Sequence, residues 1–476
     1  MTLRRVAAAL AALALAACQT LPDPAPTMAV WASSADASRK LERQADIPAL
    51  PAATPVPDEL VIDASKPDQE IVGYGAAMTD SSALLLRDKL TPAAREALLR
   101  ELFGTDGLAL NFMRLPIGAS DFSVKHYSLN DLPPGETDPQ LTRFSMAEAE
   151  AAQIPMAQAA RRVNPDLVLM ASPWSPPAWM KDSGSLIKGQ LKPEHYGAYA
   201  RYFARYLDAM DAAGLPVRYV SVQNEPDFEP ANYPGMRVPP AARAAFIGQH
   251  LGPLLAKRKN PVRVLDWDHN WDQPQQPLAV LADPVANPFV AGVAWHCYAG
   301  DPAAMETVRR AHPDKEVFFT ECSGGQWAPN WGETLGWMID NLIIAPSRAG
   351  SRGTLLWNLA LDETYGPHLG GCGDCRGVVT IDSRSGAVTR NVEYYVLGHV
   401  SRFVRPGARR VASQGGGADV RHAAFRNPDG TLALVLRNAG KSAAALAIRS
   451  GGRAWQLSVP AGEVLTLVWP DEGTAR

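Results

Sequence analysis

Two glutamates that each follow a short apolar run are the residues best suited to do chemistry. Glu225 comes soon after the run from Pro216 to Val220, and Glu321 follows the run from Val317 to Thr320. Such short runs, rich in valine and aromatic residues, are typical of buried parallel strands, so both carboxyl groups are expected at strand ends. Because Glu225 precedes a proline, this glutamate could instead simply begin a loop.

The spacing of the two glutamates favours one shared site. Glu321 follows Glu225 by 96 residues, which fits three βα units of roughly 30 residues each. In an α/β barrel the carboxyl ends of all strands meet at one rim. Glycoside cleavage requires one protonated carboxyl group that helps the leaving group depart and one ionised carboxyl group that attacks or stabilises. The pair therefore predicts glycoside hydrolysis.

Nine further polar or aromatic residues fall at or just after predicted strand ends. The three tryptophans among them suit the apolar face of a sugar ring, although each could also belong to the core. The arginine could make a structural ion pair, and the histidine could be a satisfied core residue. Their convergence on one rim favours a carbohydrate cleft formed by Arg114, Asp121, Trp174, Trp179, Asn224, His296, Tyr298, Trp357 and Asn358.

Eight predicted strands alternate with helical segments, which indicates a (β/α)8 barrel. Helices are predicted over Ala147–Arg162 and Pro193–Ala213. The strands are predicted at Glu70–Ala77, Leu110–Pro116, Leu167–Met170, Pro216–Val220, Val262–Leu265, Gly292–Trp295, Val317–Thr320 and Thr354–Trp357.

Beyond about residue 400 the pattern changes to short alternating strands separated by glycine-rich turns. Ala433–Leu436 and Val464–Val468 are examples, and this pattern is typical of a β-sandwich. The predicted fold class is α/β, a TIM barrel with an accessory all-β sandwich domain built mainly from the C-terminal segment. We predict an N-terminal strand of the β domain over 58–70, the barrel over 71–399 and the sandwich over 400–476.

The first seventeen residues predict export. Arg4 and Arg5 precede an apolar run that is too short to span a bilayer. The following Leu15–Cys18 resembles a bacterial lipobox, which implies cleavage before Cys18 and lipidation of its thiol. An ordinary secretory signal with an incidental cysteine is the alternative. Gln19 after Cys18 resembles the sorting signal of bacterial lipoproteins that are sent to the outer membrane. We therefore expect the protein on the outer membrane, facing the periplasm or the cell surface.

Residues 18–57 are rich in alanine, proline and serine, and we predict that their first part forms a tether from the lipid anchor. Val30–Trp31 could instead be a peripheral strand. The whole chain has a net charge of −3, with 46% hydrophobic and 20% charged residues. This composition is that of an ordinary soluble globular protein and gives no reason to expect nucleic acid as a partner.

The remaining four cysteines give two separate predictions. Cys372 and Cys375 have a metal or redox spacing, but no second Cys/His pair is suitably placed to complete a zinc site. A small loop disulfide in an oxidising compartment is therefore favoured. Cys297 and Cys322 each follow a predicted site residue and are expected to be small buried side chains.

Six motifs in order along the chain resemble those of family-30 glycoside hydrolases, the glucosylceramidase-like group. The resemblance covers roughly residues 60 to 400 and continues more weakly into the β-rich tail. The motifs are GYGAAMTD at Gly73–Asp80, RLPIGASDFS at Arg114–Ser123, SPWSPPAWM at Ser172–Met180, QNEP at Gln223–Pro226, TEC at Thr320–Cys322 and WNLAL at Trp357–Leu361.

The resemblance implies a retaining mechanism with Glu225 as general acid/base and Glu321 as nucleophile. It places Asn224 on the sugar 2-hydroxyl group and Arg114 near the nucleophile, where opposite charge keeps Glu321 ionised. The subsite for the non-reducing sugar would be lined by Asp121, Trp179 and Trp357, with His296 and Tyr298 beside the nucleophile. No metal or organic cofactor is implied, because the carboxyl pair supplies acid, base and nucleophile.

Two positions depart from the animal glucosylceramidases. Gln223 replaces a second glutamate, which leaves the mechanism untouched, and Cys297 replaces a tryptophan, which puts the aglycone preference in doubt. Gly371–Val379 resembles the bacterial members instead, some of which cleave β-1,6-glucan. We therefore expect a lipid-anchored β-glycosidase acting on glucosylceramide-like lipids or β-1,6-glucan. The alternatives are β-xylosidase or β-fucosidase activity, or a non-catalytic carbohydrate-binding lipoprotein.

Overall fold

The computed structural model describes residues 27–50 and 59–471. It contains a closed barrel of eight parallel strands and a nine-stranded, largely antiparallel sheet. The predicted fold class, an α/β barrel with an accessory β-sandwich, is therefore confirmed. Cys18 and the leader lie outside the described residues. Within the described residues, no helix is long and apolar enough to cross a membrane.

The barrel strands follow one another around the barrel in chain order, and the eighth pairs with the first. All eight overlap the predicted strands, but the fifth runs five residues beyond its predicted end at Leu265. Barrel strands 1 to 8 are Gly73–Ala77, Phe112–Ile117, Val168–Pro173, Val217–Ser221, Arg263–Asn270, Val290–His296, Glu316–Glu321 and Ser351–Asn358.

A layer of buried apolar side chains fills the barrel interior below the rim. It consists of Val72, Phe112, Met170, Tyr219, Leu265, Ala294, Phe318 and Leu355. Side chains two residues apart on a strand point to the same face. The residues two positions further along strands 2, 3, 4, 6 and 7 therefore form the next layer, and they are polar: Arg114, Ser172, Ser221, His296 and Thr320.

Strand 5 joins this polar layer through an irregularity. Its pairing with strand 6 shifts register between Trp267 and His269, and Trp267 and Asp268 both have positive φ, at 75° and 52°. A bulge of this kind re-aims the side chains that follow it. Asp268, three residues after Leu265 rather than two, thereby takes its place in the polar layer.

Helical segments surround the barrel and connect its strands. The α-helices are Asp80–Asp88, Pro92–Phe103, Ala147–Ala151, Gln153–Val163, Tyr196–Ala212, Pro240–Phe246, Gly252–Leu255, Gln275–Leu281, Ala303–Ala311, Trp331–Met338, Ala345–Arg348 and Val392–Ser401. Two π-helical turns, Ile247–Leu251 and Ile339–Ile344, and three 3₁₀ turns, Ala178–Met180, Pro193–His195 and Asn287–Phe289, complete them.

The second domain combines strands from both ends of the described chain. Its strands are Thr27–Ser33, Glu42–Pro48, Glu59–Glu70, Arg409–Gly415, Val420–Arg426, Thr431–Asn438, Ala444–Ser450, Arg453–Val459 and Val464–Pro470. Only Glu59–Glu70 and Ala444–Ser450 pair in parallel. Small sheets near the barrel rim add Gly324–Gly325 with Cys375–Arg376, and Ala360–Leu361 with Val379–Ile381 and Val388–Arg390.

The N-terminal strands agree with the alternative of a peripheral strand at Val30–Trp31, and the first part of the predicted tether lies outside the described residues. Thr27–Ser33, which contains Val30–Trp31, pairs with Val464–Pro470 and with Glu42–Pro48. Met28, Val30 and Ala32 alternate into the core of the second domain. The apolar residues of this strand are buried in the core. Its period-two pattern is hard to recognise in the sequence because the flanking residues are alanine, proline and serine.

A buried histidine joins the two domains. His399, on the last helix, bonds through Nε2 to Ser33 Oγ at 2.8 Å and through Nδ1 to Thr466 Oγ1 at 2.9 Å. Burial lowers the pKa of His399 to about 3, so the ring is neutral at physiological pH. Trp31 packs on Phe403 beside it, with ring centroids 4.5 Å apart.

A buried ion pair secures the bulged strand from outside the barrel. Arg243 Nε donates to Asp266 Oδ1 at 2.8 Å, and both side chains are fully buried. We predict that Arg243→Met lowers the free energy of unfolding by about 3–5 kcal/mol, because the Asp266 carboxylate is left buried without its partner. Urea denaturation measures this change.

The matched control is Arg310→Met, which removes an exposed pair with Glu306 on one helix. That variant should change stability by less than about 0.5 kcal/mol. Equal losses in the two variants would contradict the role of the buried pair.

Candidate active site

The carboxylate of Asp268 lies at the centre of the polar layer. It is fully buried and accepts hydrogen bonds from side chains on five other barrel strands. The donors are Arg114 Nη2 at 2.8 Å, Ser172 Oγ at 2.6 Å, Ser221 Oγ at 2.5 Å, His296 Nε2 at 3.0 Å and Thr320 Oγ1 at 2.7 Å. Burial alone would raise the pKa of Asp268, but Arg114 and His296 hold it well below its ordinary range.

Arg114 connects this carboxylate to one of the two predicted glutamates. Its Nη1 donates to Glu321 Oε2, and its Nη2 also donates to Asn224 Oδ1 at 2.7 Å. Tyr298 donates its hydroxyl proton to Glu321 Oε1 at 3.0 Å. These contacts fix the orientation of the Glu321 carboxylate and offset its negative charge.

Two tryptophans cover the guanidinium of Arg114. Trp174 and Trp357 stack on each other with centroids 5.0 Å apart and an interplanar angle of 20°. The guanidinium carbon lies 5.0 Å from the centroid of Trp174 and 5.4 Å from that of Trp357. Cation–π attraction of this kind helps to hold the arginine under the site.

Glu225 lies between two histidines. Its Oε1 is 3.3 Å from His296 Nδ1 and 3.5 Å from His269 Nδ1. Burial raises the pKa of Glu225, but interactions with the two rings outweigh it and hold this pKa below its ordinary value. Burial lowers the pKa of His296, yet Glu321, Asp268 and Glu225 together raise it to about 9. His296 therefore carries the proton in the resting site.

The backbone at this rim is strained. Glu225 has a φ of 50°, and Trp267 and Asp268 on strand 5 also have positive values. Conformations of this kind cost on the order of 1–3 kcal/mol each in non-glycine residues and cluster at functional sites. The Glu225 N–H donates to the Asp268 carbonyl oxygen at 3.0 Å, which links the two strained segments.

A cavity of about 520 Å³ opens above the two glutamates. Seven of the predicted site residues line it: Asp121, Trp174, Asn224, Glu225, Tyr298, Glu321 and Trp357. Burial and the nearby Glu321 and Glu225 carboxylates raise the pKa of Asp121. A lined cavity with convergent carboxyl groups and aromatic walls is the arrangement expected of a carbohydrate site.

Four predicted residues lie away from the cavity wall. Arg114 and His296 are buried behind the glutamates. Asn358 is buried and accepts a hydrogen bond from Thr79 Oγ1 at 2.8 Å. Trp179 lies on a short 3₁₀ turn, where its Nε1 donates to Asn130 Oδ1 at 2.8 Å and its ring packs on His195. Trp179 is not among the residues that line the cavity.

Several residues of the site are not among those predicted from the sequence. Asp268 and His269 follow the apolar part of strand 5 and have the same strand-end signal as Glu225. Asn270 ends the same strand, and the other residues lie on loops, where no periodicity marks them: Phe228, Tyr233 and Trp327. Lys181 ties one of these loops down, because its buried Nζ donates to the carbonyl oxygens of Leu186 and Gly235.

Two disulfides adjoin the cavity. The structure pairs Cys372 with Cys375, as predicted for the small loop. It also pairs Cys297 with Cys322, which corrects the expectation that these two are merely small buried side chains. Their neighbours explain the pairing: His296 and Glu321 are register partners at the ends of strands 6 and 7, so the next residues on each strand meet.

The sequence matches the glycosyl hydrolase family 30 TIM-barrel domain over residues 71–404 and the glycosyl hydrolase family 30 beta sandwich domain over residues 407–467. This chain belongs to glycoside hydrolase family 30. The resemblance predicted from the motifs and the assignment as a glycoside hydrolase are thereby confirmed.

Three similar proteins extend the comparison within family 30. An endo-1,6-beta-D-glucanase of Neurospora crassa is 32% identical, covering 93% of this chain and 95% of its own length. The lysosomal acid glucosylceramidase of Mus musculus is 31% identical, covering 80% and 77%. A solved endo-beta1,6-glucanase structure superposes with a TM-score of 0.87 at 29% identity, covering 94% of this chain and all of that one.

The Cys297–Cys322 disulfide joins the residue before Tyr298 to the residue after Glu321. We predict that Cys297→Ser/Cys322→Ser lowers kcat on an aryl β-glucoside by roughly 10- to 100-fold, because small displacements of reacting groups are costly. Steady-state kinetics well below the unfolding temperature measures this, since losing the disulfide also costs about 3 kcal/mol of stability.

The Cys372→Ser/Cys375→Ser variant is the control, because its disulfide lies in a loop that lines the cavity and not at the strand ends. It should change KM more than kcat. A similar fall in kcat for both variants would argue against a specific role for Cys297–Cys322.

Proposed function

We propose that this protein is a retaining β-glucanase that hydrolyses β-1,6-glucan internally. The observation that carries the proposal is the placement of Glu225 and Glu321 on one cavity with His296 between them. His296 Nδ1 is 3.3 Å from Glu225 Oε1 and 3.9 Å from Glu321 Oε1. The two oxygens are therefore at most about 7 Å apart, which is compatible with the retaining separation of about 5–5.5 Å.

In the first step, Glu321 attacks the anomeric carbon and forms a glycosyl-enzyme ester while the bond to the leaving oxygen breaks. The contacts from Arg114 and Tyr298 hold its carboxylate for this attack. Asn224, bonded to the same arginine, lines the cavity next to the two glutamates. It is placed to contact a hydroxyl group of the bound sugar.

Glu225 supplies the proton that the leaving oxygen takes up. The resting site stores this proton on His296, whose Nδ1 is within reach of Glu225 Oε1. As the glycosidic bond lengthens, the proton passes from His296 to Glu225 and from Glu225 to the departing oxygen. In the second step Glu225 removes a proton from water, which attacks the anomeric carbon and frees Glu321.

The space next to the catalytic cavity supports a polymeric substrate. A second cavity of about 510 Å³ shares Tyr298 and Trp327 with the first and continues to Trp337. Trp327 and Trp337 are 54% and 46% exposed, and exposed tryptophan faces are suited to sugar rings. Three fungal relatives described as endo-1,6-beta-D-glucanases, each 32% identical, agree with this choice.

Glucosylceramide is the second candidate substrate, because a glucosylceramidase is 31% identical and the second cavity is largely apolar in its lining. Comparing release of glucose from glucosylceramide with release of oligosaccharides from β-1,6-glucan separates the two. Predominant glucosylceramide turnover would contradict the glucanase proposal.

We also propose that the protein is exported and anchored to a bacterial membrane through Cys18. The leader pattern described above supports this location. So do the two disulfides, because such bonds persist mainly in oxidising compartments.

The two glutamates can be separated by their chemistry. We predict that Glu321→Gln lowers activity on every β-glucoside by several orders of magnitude, because both steps need the nucleophile. Glu225→Gln should lose about 10²–10⁴-fold on substrates with poor leaving groups. On an activated aryl glucoside it should form the glycosyl-enzyme and stall, and added azide should restore turnover and yield the β-glycosyl azide.

The identity of the azide product is the decisive readout. If azide instead rescued the Glu321 variant and gave the α-azide, the roles of the two glutamates would be reversed.

Trp337, which lines the second cavity and not the first, tests the extended cleft. We predict that Trp337→Ala lowers kcat/KM on β-1,6-glucan by roughly 10-fold, since an aromatic contact is worth about 0.5–1.5 kcal/mol. The loss on an aryl β-glucoside should be markedly smaller, because that substrate does not reach the second cavity. Val285→Ala, at an exposed remote position, is the control. Equal losses on both substrates would contradict a binding role for Trp337 beyond the catalytic cavity.

A further inference from the structure

Three side chains at the catalytic rim have the composition of a transition-metal site. Glu225, His269 and His296 each offer one ligand atom, and these atoms lie within 4.8 Å of one another. Two histidines with one carboxylate is a ligand set that proteins use to hold zinc with a fourth position open.

The distances fit a tetrahedral ion. At Zn–N and Zn–O lengths of 2.0–2.2 Å, two ligand atoms of a tetrahedron are about 3.3–3.5 Å apart. Glu225 Oε1 is 3.3 Å from His296 Nδ1 and 3.5 Å from His269 Nδ1. Two edges of the tetrahedron are therefore already formed by the side chains as they stand.

His269 gives an independent indication of a ligand. Its side chain is more than nine-tenths buried, and its Nδ1, 3.5 Å from Glu225 Oε1, is left without a well-formed hydrogen bond. A buried polar atom that makes no hydrogen bond is costly. His269 and Glu225 both line the catalytic cavity, so an ion bound between them would be open to the cavity on one side.

The surroundings of His296 match the second layer of a metal site. Its Nε2 lies 3.0 Å from Asp268 Oδ1, and a carboxylate on the far ring nitrogen of a metal-bound histidine fixes the tautomer that leaves Nδ1 free to bind.

We propose that Glu225, His269 and His296 bind a divalent transition-metal ion, Zn²⁺ in particular, and that the bound ion stops hydrolysis. Binding places the metal on Glu225 Oε1 and on the Nδ1 lone pairs of the two histidines, and the proton of His296 is released to solvent. Neither Glu225 nor His296 can then deliver a proton to the leaving oxygen. The inhibition rests on the proposed acid role of Glu225, whereas the binding does not.

Zinc binding is measured by isothermal titration calorimetry on the full chain after chelator treatment. We expect one Zn²⁺ per molecule, with proton release that depends on the buffer. His269→Ala should weaken binding by about 10- to 100-fold, and Glu225→Gln should weaken it as well. His312→Ala removes a histidine far from the site and should bind zinc as the wild type does. Equal zinc affinity in wild type and His269→Ala would overturn the proposal.

Cobalt substitution and inhibition complete the test. Co²⁺ should give the intense visible absorption of a tetrahedral ion with the wild type, and this absorption should be lost in His269→Ala.

Zn²⁺ should inhibit aryl β-glucoside hydrolysis. The inhibition constant should rise by about 10- to 100-fold in His269→Ala, when the rate of that variant is compared with its own rate without metal. Zinc binding to a protein that lacks β-glucosidase activity without metal would support the site and contradict the proposed function. Full activity at saturating zinc would overturn the inhibition.

Discussion

The buried carboxylate of Asp268 is the constraint on which the rest of the site depends. An ionised group in the barrel interior is tolerated only if it is fully paired. Asp268 satisfies this by collecting donors from five other strands. Two of those donors, Arg114 and His296, also contact the two glutamates. Neutralising one buried charge therefore fixes the positions of both glutamate carboxyl groups.

The barrel builds this site by placing a polar layer directly above an apolar one. Phe112 and Phe318 belong to the apolar layer, and two residues later the same strands supply Arg114 and Thr320. Strand 5 needs a bulge to bring Asp268 into register. The local strain is sustained by the packed barrel around it, and the Cys297–Cys322 disulfide holds the ends of strands 6 and 7.

Much of this architecture was predictable from the sequence, because the sequence shows apolar strands alternating with helical segments and, in the C-terminal part, apolar residues at every second position. The eight barrel strands and the strand-end positions of Glu225 and Glu321 follow from short apolar runs. Asp268 follows its predicted strand in the same way, but the bulge that turns its side chain into the polar layer leaves no periodic signal. The Cys297–Cys322 pairing depends on register between strands that are adjacent only in the fold. Trp327 lies on a loop whose direction only tertiary packing determines.

The central claim is that Glu225 and Glu321 act by double displacement on a β-glucoside. The most direct test is proton NMR of the first sugar released by the wild-type protein, recorded before mutarotation. Two displacements at the anomeric carbon restore the original configuration, so the account predicts that the β-anomer appears first and the α-anomer grows in later. Initial release of the α-anomer would show a single displacement and contradict the account.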